Sequence, residues 1–201
     1  MKKELPIYKL TINPDDEALN WICTAFVDKP ATGEVFMAFN ETPDLFKFQT
    51  IDEEKRIVMG ALMVANLPIY RKDEATGEEF LVVFDAENID LALQKHFKQK
   101  LNDKTNADHN PNQSFNGVFM YQSWIINKEL GIGVPKGFNE LPDGSAFGVF
   151  KVDNEEVWQE VKSGKYRGFS IEGKFNREPL INMSEDDVKE LQDALDGSNL
   201  K

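Results

Sequence analysis

Two histidines, His96 and His109, and a single cysteine, Cys23, limit the acid–base and nucleophilic chemistry open to this chain of 201 residues. Neither an H-E-x-x-H helix nor a three-histidine zinc site can be built from them, and one cysteine excludes an internal disulfide and a multi-cysteine zinc site. Histidine catalysis must therefore run through one of two imidazoles. His109 lies in the polar stretch NDKTNADHNPNQSFNG, where its ring is free to orient, whereas His96 falls on the flank of a lysine-rich predicted helix. A loop histidine is ordinarily just solvated, but beside a serine it is the usual general base. Ser170, in RGFSIEGKF, occupies a polar slot between Phe169 and Ile171, and Gly168 and Gly173 would let a substrate backbone approach. Strand serines are mostly structural. The spacing G-F-S-I-E-G also misses the G-x-S-x-G nucleophile elbow by one residue, which argues against an α/β-hydrolase.

The elements that must position these residues are legible from periodicity. Between Ile7 and Phe84 the runs IYKLTI, WICTAFV, EVFMAF, LFKFQT, RIVMGALMVANLPIY and FLVVF read as strands, separated by turn signals such as Asn13-Pro14 and Thr76-Gly77. They suit a β-barrel or a strongly curved sheet. Asp85 is a good N-cap for a helix over 86–102, with Ile89, Leu93, Phe97 and Leu101 as its apolar stripe. GVFMYQSWII and AFGVFKV read as strands on either side of a long irregular loop over 127–145. Asp153 and Glu156 form a capping box for a short helix carrying Val157, Trp158 and Val161. Alternation along RGFSIEGKF sets Phe169 and Ile171 on one face and Ser170 and Glu172 on the other. Ser184 and Asp187 cap a last amphipathic helix. This organisation is one domain over 1–181 with a helix and tail over 182–201.

Composition narrows the partners. The formal charge of −12, from 35 acidic and 23 basic residues, disfavours nucleic acid and anionic membrane surfaces and leaves proteins as the expected partners. The start MKKELPIYKLTINPDDE lacks the apolar run of a signal peptide, and no stretch reaches membrane-spanning length. A lone cysteine fits a reducing cytoplasm.

The pattern from Asp153 to Gly173, DNEEVWQEVKSGKYRGFSIEG, is long and specific, and it follows in order FDAENID, DHNP, YQSWII and VPKG. In these features the chain, from Phe84 to Phe175, resembles the XkdF-like phage serine proteases. These are relatives of the prohead, or capsid-maturation, proteases of tailed phages and remote relatives of the herpesvirus maturation protease. The resemblance implies a serine endopeptidase with Ser170 as nucleophile and His109 as general base, and no metal or organic cofactor. It also implies an α+β fold, a mostly antiparallel β-barrel of the herpesvirus-protease type with surrounding helices. WICTAFVDKPA, residues 21–31, looks like the strand that in ordinary prohead proteases follows the serine. The chain thus reads as a circular permutant, with residues 21–40 as the permuted strand region and 84–175 as the histidine and serine region.

Where relatives carry a Glu or His as the third catalytic member, this chain has Cys23. Asp28 is the replacement expected on the same strand, and a plain Ser-His dyad is the other reading. The turn Pro30–Gly33 would supply the oxyanion donors, Ala31 and Thr32. The resemblance further implies phage scaffold and major capsid proteins as substrates, self-cleavage, dimerisation or confinement as a switch, and action in the host cytoplasm inside the prohead. The rivals are a catalytically silent protease-fold protein of virion assembly and a small-ligand-binding β-barrel.

Overall fold

The structure, a computed structural model, describes residues 5–18, 20–28, 47–73 and 75–180. The expected strand EVFMAF, the oxyanion turn with Ala31 and Thr32, and the C-terminal helix and tail lie outside the described residues.

Twelve strands and two helices follow one another in chain order among those residues: β1 (Ile7–Thr11), β2 (Asn20–Val27), β3 (Gln49–Asp52), β4 (Ile57–Met63), β5 (Ile69–Lys72), β6 (Glu79–Val83), α1 (Ala86–Lys98), β7 (Thr105–Ala107), β8 (Asn110–Ser114), β9 (Val118–Ile125), β10 (Ala146–Val152), α2 (Glu155–Lys162), β11 (Gly168–Lys174) and β12 (Asn176–Pro179). The architecture is α+β and mostly β. The strands form three four-stranded ladders, β12-β1-β6-β5, β3-β4-β10-β9 and β11-β2-β7-β8. Pairing is antiparallel except for β1 with β6 and β2 with β7.

Closure into a barrel requires every edge strand to hydrogen-bond to the next, and among the described residues the ladders are not closed in this way. Two of them are joined through side chains: Phe26 of β2 and Phe169 of β11 meet Phe150 of β10, with ring centroids 5.5 Å (Phe26–Phe150) and 4.6 Å (Phe150–Phe169) apart. Phe26 also touches Phe48, Phe115 and Tyr166, so five aromatic rings meet on this one.

Local signals account for both helices, with two corrections. Asp85 caps α1 as expected, its side chain accepting from Asn88 N at 2.9 Å. The helix ends at Lys98, however, so Leu101 is not on it, and Phe97 is 39% exposed. The buried stripe is instead Ile89, Ala92, Leu93 and His96, spaced i, i+3, i+4, i+7. The cap of α2 is Asn154 rather than Asp153: its Oδ1 accepts from Val157 N at 3.0 Å. Asp153 turns to Lys151 instead, 2.6 Å away.

His96 is thereby a core residue. Its ring stacks on Trp21 of β2 at 3.9 Å and an interplanar angle of 15°, and Nδ1 lies 3.0 Å from the Trp21 carbonyl oxygen. Nε2 is buried without a partner among the described residues. Burial pushes its pKa below the ordinary histidine value, against the opposing pull of the Trp21 carbonyl.

Two outcomes follow for stability. Phe26→Ala opens a cavity at the shared ring and costs about 3–5 kcal/mol, read from urea unfolding. Because His96 resists protonation when folded, the unfolded chain takes up its proton first, and stability falls as pH drops below about 6.5. The urea midpoint of the wild type should therefore decline from pH 7.5 to 5.5 more steeply than that of His96→Phe.

Candidate active site

The placement of Ser170 follows from strand register. β11 runs antiparallel to β2 with Phe169 opposite Phe26, Ser170 opposite Ala25 and Glu172 opposite Cys23. β2 in turn runs parallel to β7, with Ala25 opposite Asn106. Since side chains alternate across a sheet, Phe169 and Phe26 enter the core while Ser170, Glu172, Ala25, Cys23 and Asn106 share the other face. Phe169 is 1% and Ser170 5% exposed. Ala25 contributes only a methyl group beside the serine. The register shifts just beyond Glu172, at Gly173, where a Cβ would meet the Asn20 carbonyl oxygen at 2.2 Å. A glycine is required there for β11 to stay against β2.

His109 arrives from a hairpin that periodicity did not reveal. The stretch read as a polar loop contains β7 and β8, and Thr105, Asn106 and Ala107 are all buried. Ala107 pairs with Asn110, so the connection is the two residues Asp108 and His109, with φ of 44° and 62°. Two consecutive positive φ values are the pattern of a type I′ hairpin turn, whose second position favours glycine. A histidine there holds the left-handed conformation at a cost of about 1 kcal/mol. The turn is tied to β2, because Asp108 N donates to the Phe26 carbonyl at 3.1 Å and Asp28 N donates to Asp108 Oδ1 at 3.4 Å.

The turn brings His109 Nδ1 to 3.1 Å from Glu172 Oε1. The same carboxylate oxygen accepts from Asn106 Nδ2 at 2.6 Å. An ionised carboxylate only accepts hydrogen bonds, so the imidazole tautomer that suits this contact carries its proton on Nδ1 and keeps Nε2 as the base. Cys23, level with Glu172 on the next strand, has its thiol pushed up to about 12, first by burial and then by the Glu172 charge. It is a neutral thiol rather than a nucleophile.

The sequence-derived residues thus divide. His109 and Ser170 come to one sheet face, linked through the residue two positions after the serine, although among the described hydrogen bonds none joins them directly. Asp28 does not join them: its Oδ1 lies 3.2 Å from Arg167 Nε. Glu172 and Asn106 were not singled out by residue type. The signal for Glu172 was present in the alternation of β11, whereas nothing local marked Asn106.

A family model described as "putative phage serine protease XkdF" matches residues 46–178, about two thirds of the chain, and spans both His109 and Ser170. The chain belongs to this family. No curated protein and no solved structure matches it. β2 lies outside the segment matched to the XkdF family, yet it is the strand between β11 and β7.

Position 109 offers a test of the turn independent of chemistry. Both His109→Gly and His109→Ala remove the imidazole, but only alanine must hold a Cβ at positive φ. The glycine variant should be more stable by about 1 kcal/mol in urea unfolding. Equal stabilities would contradict the left-handed turn.

Proposed function

We propose that the chain is a prohead serine protease that cleaves scaffold and capsid-protein extensions, and itself, during phage capsid maturation. The observation that carries this reading is the contact of His109 with Glu172, two residues from Ser170 on the same strand face, inside a segment matched to a phage serine protease family. Neighbours of this kind along a strand are about 7 Å apart, a separation that an imidazole bridges.

In this mechanism His109 Nε2 takes the proton of Ser170 Oγ as the oxygen attacks the scissile carbonyl carbon. Backbone N–H groups hold the oxyanion, for which Ala31 and Thr32 remain the proposed donors. The imidazolium then returns its proton to the leaving amine. Water, deprotonated by the same imidazole, releases the acyl group and restores Ser170. The substrates proposed are proteins, in keeping with a net charge of −12 that repels nucleic acid. The adjacency of β2 to the serine strand supports the circular-permutation reading, because a strand of that kind takes its place beside β11 while preceding it in the chain.

Intact mass of wild type and Ser170→Ala, each co-expressed with its phage's scaffold and capsid proteins, tests the proposal. Discrete truncation products only with wild type are expected, and loss of Ser or His should lower turnover by on the order of a million-fold. Identical uncut masses in assembled particles would instead make the chain a silent assembly module.

A further inference from the structure

We propose that Glu172 is the residue that orients His109, and that Asn106 holds Glu172 for this task. The inference rests on the serine-protease reading above and deepens it by naming the third member of the site. Three observations converge on Glu172, from β11, from β7 and from the turn that joins β7 to β8. The carboxylate lies on the serine's own strand and face. His109 Nδ1 lies 3.1 Å from Oε1, the nitrogen whose engagement leaves Nε2 free. Asn106, 3% exposed, donates to that same oxygen at 2.6 Å.

Asn106 supplies an independent argument. Its amide oxygen is buried without a hydrogen-bond partner among the described residues, an arrangement that costs about 1–3 kcal/mol. An apolar side chain would avoid that cost on a buried strand. The amide is kept in a state that serves only its Nδ2 donor, and the group it serves is Glu172.

The register also places position 23 beside Glu172. Cys23 and Glu172 are directly opposed on β2 and β11, and opposed residues of an antiparallel pair have Cα atoms about 5 Å apart. A carboxylate placed at position 23 would lie one ladder rung from Glu172 and approach the same imidazole from the neighbouring strand. Asp28, engaged with Arg167, is not needed. Glu172 acts as a positioning residue: the Nδ1 proton stays on the ring, and the carboxylate stabilises the imidazolium that forms when Nε2 takes the serine proton.

A fluorophosphonate probe reads the effect without knowledge of the substrate, since its maximal labelling rate and its half-saturating concentration separate activation from binding. Glu172→Gln should lower the maximal rate at Ser170 by about a hundredfold or more with half-saturation unchanged. Adding Cys23→Glu to that variant should restore most of the loss, because the acid returns on the opposing residue; a merely structural glutamate would not be rescued in this way. Asn106→Ala, which leaves the charge in place, should give a smaller fall in the same parameter, and Asp28→Asn should label like wild type. Normal labelling by Glu172→Gln while wild type labels at Ser170, or loss of labelling in Asp28→Asn, overturns the assignment of Glu172 and leaves the protease reading standing. A wild type that never labels overturns both.

Discussion

The opposition of Phe169 and Phe26 across β11 and β2 is the constraint on which the rest of the site depends. Their rings lie 5.1 Å apart and both meet Phe150 of the adjoining sheet, so the register is enforced by burial of three large side chains. A strand slipped by one residue exchanges its two faces completely. Such a slip in β11 would bury Ser170 and Glu172 among phenylalanines and take Phe169 out of its aromatic cluster, at a cost of several kcal/mol in lost packing and unpaired polar groups. The chemistry-bearing face is therefore aligned by the face that carries none.

A second consequence of the register is electrostatic. Ser170, Cys23 and Glu172 are neighbours, and two of them are nucleophilic residue types. Burial of Cys23, and after it the charge of Glu172, keep the thiol protonated. The same negative charge is favourable to an imidazolium and unfavourable to a thiolate.

What could be read directly from the chain was whatever depends on neighbours in sequence. Strand β10 coincides with AFGVFKV, the Asp85 cap begins α1 where expected, and alternation put Ser170 and Glu172 on one face. The errors arose where partners are distant. Thr105 and Asn106 look like loop residues because they are polar, yet β2 on one side and β8 on the other satisfy their backbone and make them strand. Asp28 follows directly after β2, but its carboxylate turns to Arg167, whereas the carboxylate level with Cys23 stands across the ladder at Glu172. Leu101 seemed to extend the α1 stripe, but Lys100 adopts φ of 56° and the chain turns away.

The composition of the β11-β2-β7-β8 sheet bears on when such a site comes into being. Its strands are drawn from residues 20–27, 105–114 and 168–174, and the pairing of Ala25 with Ser170 spans most of the described chain. Contacts of such long sequence separation form late and slowly, because the loop must close before the contact rewards it. During synthesis β2 emerges first and waits with one edge unfilled until the serine strand arrives. Ser170 and its neighbours are then brought together at nearly the last step of folding. A chain interrupted before that step has His109 without Ser170, and a chain lacking β2 has no strand to bridge β11 and β7.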